Sequence, residues 1–129
     1  MMLDALKAWA TALVAIPAFV DYKPDTPHAL MVLREYGGGV QVRGLNTLDR
    51  SVQLLFRSDT PSTTPNAAQT ASANAWTVYR ALLPLPPVIV AAGGGKYTVR
   101  PMQAPFFLER DSSERSTYVF NVAVMAAPD

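Results

Sequence analysis

An amphipathic stripe opens the sequence. Apolar residues recur there at intervals of four, three, four and three, which is the spacing of one face of a helix. Proline lacks a backbone N–H, so Pro17 is expected to end this first helix. The stripe consists of Met2, Leu6, Trp9, Leu13 and Ile16.

A second stripe has intervals of three, four, three and four, and most of its residues are small. A narrow face of this kind can lie close on a sheet. Thr64 and Pro65 are predicted to be the N-cap and the first helical residue, and Pro84 is predicted to end the helix. The stripe consists of Ala68, Ala71, Ala75, Val78 and Leu82.

Two segments in the first half of the chain are predicted to be strands, "HALMVLREY" and "SVQLLFRS". The proline-containing "VDYKPDTP" before them is predicted to be a short extended connector, and Gly37 to Gly39 are expected to end the first strand in a turn. The second strand alternates between two faces. Val52, Leu54 and Phe56 share one face, and Gln53, Leu55 and Arg57 share the other.

The last third of the chain is predicted to form two strands joined by a polar turn around Asp111 to Glu114. Both faces of the final strand are largely apolar. One face carries Tyr118, Phe120, Val122 and Val124, and the other carries Thr117, Val119, Asn121, Ala123 and Met125. The run "VIVAA" fits either a short strand or a loop.

This order of elements predicts an α+β fold, with a mixed or antiparallel sheet of about four to five strands and two helices packed on it. The 129 residues fit a single domain, 1–129. If both helices cover one face, the apolar residues of the other face need a second copy of the chain as cover. Those residues are Leu55, Val119, Ala123 and Met125. The alternative is that the helices divide between the two faces.

The charge and composition of the chain limit the classes of protein to which it can belong. The formal net charge is +1, which does not favour a nucleic-acid-binding protein. Arg80, Lys96 and Arg100 are the charged residues between Thr60 and Arg100, so they form either a modest positive patch or a solvated face. The N-terminal apolar run has no basic segment leading into it, and Lys7 interrupts it, so we expect a soluble protein used without export.

Catalytic and metal-binding patterns were sought and not found in the sequence. There is no cysteine and one histidine, His28, and neither predicted helix carries an acidic pair at the spacing that ligating helices use. No Gly-x-Ser-x-Gly segment presents a nucleophile. The run "GGGKYT" lacks the hydroxyl residue that follows lysine in a phosphate-binding loop. We therefore expect no enzymatic activity and no cofactor.

The charged run "LERDSSERS" has two interpretations. It is either a solvated turn or a contact that orients neighbouring subunits. In the second case, Asp111 and Glu114 face arginines of a neighbouring subunit. The candidate arginines are Arg57, Arg110 and Arg115.

Several segments together resemble the tail terminator proteins of long-tailed bacteriophages, which are also labelled minor capsid or tail completion proteins. The segments are "YKPDTPHALMVLREYGGG", "GLNTLDRSVQLLFRS", the alanine-rich helix and "PFFLERDSSERSTYVFNVAV". The resemblance lies in the order and spacing of strand and turn residues over most of the chain. The residues that carry it are Tyr22, Pro27, Glu35 to Gly38, Val52, Gln53, Arg57, Pro105, Leu108, Asp111, Arg115, Phe120 and Asn121.

The resemblance implies a structural protein of the virion, assembled in the host cytoplasm, that forms a six-membered ring in the neck of the phage. Such a ring caps the tail tube, ends its polymerisation and binds the head-tail connector protein, and DNA passes through its lumen without sequence-specific binding. The hypothetical interface set with another subunit or the tube is then Leu55, Arg57, Arg110, Asp111, Glu114, Arg115 and Met125, and the candidate basic residues for the lumen or the DNA are Arg80, Lys96 and Arg100. Two other interpretations stay open: a head completion protein, and a small ligand-binding or enzymatic α+β domain unrelated to phages.

Overall fold

A computed structural model describes residues 2–41, 48–91 and 93–126 of the chain. Residues 44–47, which form part of the resemblance, lie outside this description. The described elements are α1 (Met2–Thr11), β1 (Ala18–Val20), β2 (Leu30–Gln41), β3 (Leu48–Arg57), α2 (Ala67–Arg80), β4 (Val88–Val90), β5 (Lys96–Pro101), β6 (Phe106–Arg110) and β7 (Ser116–Ala126).

The strands form one sheet in the order β1-β2-β3-β7-β5-β4, and β6 also pairs with β7. β1 runs parallel to β2, and the remaining pairs are antiparallel. The α+β class is confirmed, but the predicted count of four to five strands is wrong, since the described sheet has seven. β1 and β4 have three residues each, too few for an alternating pattern to be recognised.

β5 and β6 lie along the same edge of β7 and resemble one strand with an interruption. Pro101 pairs with Val122 and Phe106 pairs with Val119. The four residues between Pro101 and Phe106 therefore lie opposite only two residues of β7. Asn121 lies in this gap. Its carbonyl accepts a hydrogen bond from the Met102 N–H at 2.8 Å, and its N–H donates to Gln103 Oε1 at 3.2 Å. A side chain therefore provides the acceptor that a regular ladder would take from the backbone.

Both helices pack on one face of the sheet, as predicted, and the alternative in which they divide between the faces is wrong. Leu6 of α1 and Val78 of α2 lie in the same buried cluster as Leu54. At its centre the rings of Phe56 and Phe120 are stacked, with centroids 6.1 Å apart. This cluster is the main hydrophobic core, and burial of its large side chains is the chief source of stability.

The opposite face of the sheet has a smaller buried cluster of Leu30, Val32, Leu55 and Val119, against which Phe19 packs. The prediction that Leu55 and Val119 lack a cover within their own chain is therefore wrong. The connector 21–29 lies on this face. Arg57 points to the same side of the sheet as Leu55 and donates hydrogen bonds to backbone carbonyls of the connector, which hold it there. The prolines of this segment correctly predicted a connector, but residues 25–29 bend rather than extend, and the surface that the connector covers was not predicted.

Element boundaries also differ from the sequence prediction. β2 continues through Gly37–Gly39 to Gln41, with register shifts on either side of Gly38, so the glycines do not end the strand. α2 begins at Ala67, after Asn66 at φ 64, which makes no side-chain capping bond. Thr64 is not the cap, because its Oγ1 donates to Asp59 Oδ2 at 2.7 Å. Within the described ranges, no helix is long and apolar enough to cross a bilayer.

Candidate assembly surface

β6 is an edge strand with three consecutive exposed apolar side chains. Phe106, Phe107 and Leu108 are 43%, 51% and 45% exposed. Among the described residues β6 pairs with β7 alone, which leaves its outer backbone groups without a strand partner. Apolar residues on an unpaired sheet edge are typical of surfaces that bind another protein chain.

The side chains of β6 project to both faces of the sheet. Phe106 pairs with Val119 and lies on the face opposite the helices, whereas Phe107 pairs with Tyr118 on the helix face. The Phe107 and Tyr118 rings meet edge to face, with centroids 5.7 Å apart. Because the edge is apolar on both faces, a strand placed beside it would bury side chains above and below the sheet.

The turn between β6 and β7 is organised by Asp111. Its Oδ1 accepts hydrogen bonds from the backbone N–H groups of Ser113 and Arg115, both at 3.0 Å, and its Oδ2 accepts one from Arg115 Nε at 2.7 Å. Partial burial would raise the pKa of the Asp111 carboxyl, but these hydrogen bonds and the positive charge of Arg115 lower it overall. Asp111 and Arg115 therefore pair with each other within one chain.

Two buried arginines hold the connector 21–29 against the sheet. Arg57 donates from Nε to the His28 carbonyl at 2.8 Å and from Nη2 to the Pro24 and Pro27 carbonyls, each at 2.8 Å. Arg115 donates from Nη1 to the Asp25 carbonyl at 2.7 Å, and its Nη1 lies 3.2 Å from His28 Nδ1. Burial and the nearby positive charge of Arg115 lower the pKa of Arg57.

These contacts divide the predicted interface set. Leu55, Arg57 and Arg115 are buried and contact their own chain. Arg110 and Glu114 are exposed, and Met125 is partly exposed. Phe106 and Phe107 were not part of the predicted interface set. The sequence contained a signal for this surface. Three consecutive apolar residues directly before a charged turn leave both faces of a strand without polar side chains.

The predicted basic set does not form one patch. Lys96 and Arg100 are exposed on β5 and point away from the helices. Arg80 lies on α2, on the helix side, with its guanidinium 5.4 Å from the Trp76 ring centroid. Arg34, absent from the predicted set, is exposed on β2 on the same face as Lys96 and Arg100. Arg34, Lys96 and Arg100 make no ion pair with another described residue.

A second exposed edge lies on β4. Val88 and Val90 are 56% and 59% exposed on the face opposite the helices, while Ile89 between them is buried. Ala123 and Met125 are half-buried on this same face, and they lie beyond the part covered by the connector. The expectation of an incompletely covered face therefore holds for this half of the sheet and fails for the half around Leu55.

One small cavity, of about 130 Å³, lies between the start of α2 and the end of β3. Its charged lining residues are Arg57 and Asp59, and both make hydrogen bonds within the chain. Hydrogen bonds from Thr64 Oγ1 and the Thr60 N–H lower the pKa of Asp59. The described residues contain no group of three or more side chains that could hold a metal ion.

Comparison with known proteins assigns the family. The sequence profile of a family described as "Bacteriophage tail terminator protein" matches residues 2–126. No curated protein matches the chain. One solved structure, which carries no functional name, superposes with a TM-score of 0.58 at 14% identity, covering 99% of this chain and 92% of its own. At this identity the likeness shows a shared fold alone. The profile match spans nearly the whole chain, and this protein belongs to the bacteriophage tail terminator proteins.

Proposed function

We propose that this protein assembles into a homo-hexameric ring that caps the tail tube, ends its polymerisation and joins the tail to the head connector. The exposed apolar edge of β6 is the observation that carries the proposal. Its three neighbouring large side chains are costly to leave in water, and a contact with another chain removes that cost. A subunit that binds its neighbours through two different surfaces, one on each side, can form a closed ring.

The ring is proposed to have its DNA-facing surface on the uncovered half of the sheet. Arg34, Lys96 and Arg100 lie on this face, and strand geometry separates them by roughly 13 to 25 Å. Cations this far apart attract a passing phosphate backbone without clustering around one site. This arrangement supports passage of DNA without sequence-specific binding.

The test is a phage that lacks the gene for this protein. We expect tails of abnormal length, because tube polymerisation is no longer stopped, and heads that remain unjoined to tails. Electron microscopy measures both. Complementation with the wild-type protein, labelled with gold, should restore one tail length and place the label at the head-proximal end of the tail.

The same experiment separates the other candidate role. Tails of normal length beside full heads that leak DNA would indicate a head completion protein and would overturn the proposal. A label found at the tail tip, or no label on the particle, would overturn it as well.

A further inference from the structure

We propose that subunits of the ring join by strand pairing, with β6 of one copy placed antiparallel beside β1 of the next, so that the sheet continues between subunits. This inference rests on the ring proposed above and names the surfaces that form it. Both surfaces belong to the same sheet, and the partner is a second copy of this chain.

β1 and β6 form the two lateral edges of one end of the sheet. At that end the order is β1, β2, β3, β7 and β6, and in the described part of the chain β1 and β6 each pair with one strand only. Because the edges differ and lie on opposite sides, joining them gives a head-to-tail contact. A head-to-tail contact generates a closed ring when the rotation between copies allows closure.

The strand directions favour this junction. β1 is parallel to β2, and the three following steps to β3, β7 and β6 are antiparallel, so β6 runs opposite to β1. Copies placed side by side in the plane of the sheet therefore form an antiparallel pair. No segment has to reverse direction to make the contact.

The cross-strand rows of side chains also continue across the junction. On one face the row consists of Phe19, Val32, Leu55, Val119 and Phe106, and on the helix face it consists of Ala18, Met31, Phe56, Tyr118 and Phe107. Each row starts on β1 and ends on β6 with an apolar residue. Joining Phe106 to Phe19 and Phe107 to Ala18 of the next copy keeps both rows apolar.

The edge of β4 fits less well as the partner. β5 and β6 pair with the same edge of β7, so β4 and β6 lie on the same side of that strand. A contact between two edges on one side of the subunit would require a sharp turn between copies. β4 also alternates two exposed valines with the buried Ile89, whereas β6 is apolar on both faces.

Continuing the rows fixes a register that cross-linking can test. With Phe106 beside Phe19 and Phe107 beside Ala18, Ala104 of one copy comes near Asp21 of the next, each just beyond the end of its strand, and both residues are exposed. Asp21 has a left-handed backbone, with φ 56, so the regular strand spacing does not extend to this pair, and a short bifunctional thiol reagent is a more suitable cross-link than a direct disulfide. The chain has no cysteine, so introduced thiols have no competitor.

The first experiment mixes Ala104→Cys with Asp21→Cys, at high concentration and with tail tubes present, and adds a short bifunctional thiol reagent. We expect a cross-linked heterodimer from the mixture, and a ladder of multimers from the double variant. The control mixture of Ala104→Cys with Val88→Cys, on the β4 edge, should give no such product. Dimers from Ala104→Cys alone, or dimers with the β4 control, would overturn the proposed junction.

The second experiment does not depend on introduced thiols. Phe107→Glu should reduce the ring population measured by native mass spectrometry at least about tenfold, because it places a charge in the apolar row. Val90→Glu, an equally exposed valine on β4, is the matched control and should leave the ring population unchanged. Circular dichroism and denaturation should show both variants folded, since both side chains are exposed.

The outcomes separate the two proposals. Rings that form without the Ala104–Asp21 cross-link, and that persist in Phe107→Glu, would overturn the strand junction and leave the capping function standing. If no ring forms under any condition, including with tail tubes, both proposals are wrong. Rings lost in Phe107→Glu together with the expected cross-link would support both.

Discussion

Arg115 binds Asp25 twice across 90 positions of sequence, from Nη1 to the Asp25 carbonyl at 2.7 Å and from Nη2 to its carboxylate at 3.1 Å. The same guanidinium binds Asp111 through Nε. One side chain thus ties the turn after β6 to the connector that covers the second face of the sheet. The position of the connector therefore depends on a buried arginine 90 positions away in sequence, and the same arginine also holds the turn beside the β6 edge.

Replacing this arginine tests that dependence. Arg115→Lys should lower the free energy of unfolding by about 2 kcal/mol, because a lysine cannot reproduce the forked donor geometry and leaves buried acceptors unpaired. Urea denaturation measures the change. Arg110→Lys, at an exposed arginine in the same hairpin, is the control and should change it by less than about 0.5 kcal/mol. Equal effects at the two positions would contradict the clamping role.

The lowered pKa of Asp111 predicts how stability depends on pH. Folding favours the ionised carboxylate, so its contribution is fully present above the unfolded-state pKa of about 4 and is lost as pH falls through the lower folded-state pKa. Asp111→Asn should be less stable than the wild type near neutral pH, and the difference should shrink below about pH 4.

Denaturation at a series of pH values measures this difference. Glu114→Gln removes an exposed carboxylate from the same turn and serves as the control, with a small effect across the range. A wild-type and Asp111→Asn pair whose difference does not change with pH would contradict the prediction.

Substitutions at Phe120 and Phe107 should distinguish effects on folding from effects on assembly. Phe120 is fully buried and stacks on Phe56, so Phe120→Ala should lower the free energy of unfolding by about 3–5 kcal/mol. Phe107 is half-exposed, so Phe107→Ala should cost less than about 1 kcal/mol and should still weaken ring formation. Denaturation of the monomer and native mass spectrometry measure the two properties independently. A large loss of monomer stability in Phe107→Ala would contradict its place on an exposed edge.

Leu55 and Met125 provide a further contrast on one face of the sheet. Leu55 is 3% exposed beside Val119, so Leu55→Asp should unfold the monomer or destabilise it by about 4 kcal/mol or more. Met125 is partly exposed, so Met125→Asp should leave the monomer folded. Circular dichroism distinguishes these results. If Leu55→Asp folds normally and only assembly suffers, the cover by the connector is wrong.

The sequence predicted the core face of the sheet well, because its pattern is local. Alternation in "SVQLLFRS" correctly assigned Leu54 and Phe56 to the face under the helices. The same pattern could not show that Arg57 folds the connector over the second face, since its four acceptors are backbone carbonyls about thirty positions away. Carbonyls are common to all residues and leave no pattern in the sequence.

The sequence did not predict the exposed edge of β6, for a related reason. Charged residues near Asp111 look like intersubunit contacts until the turn shows that Asp111 and Arg115 satisfy each other. Conversely, Phe106 and Phe107 look like core residues until the sheet shows that no described strand lies outside β6. Strand order decides which apolar residues remain exposed, and periodicity carries no information about strand order.

The interruption between β5 and β6 has a mechanical consequence. The segment between Pro101 and Phe106 has two residues more than the part of β7 that it faces, and Gln103 bonds Asn121 through its side chain. Regular strand pairing is therefore interrupted at this point of the sheet edge. In the proposed ring, a neighbouring subunit that displaces β6 would deform this interruption before it moved β5. The strand that carries Lys96 and Arg100 would then be insulated from strain that arises as the proposed ring closes.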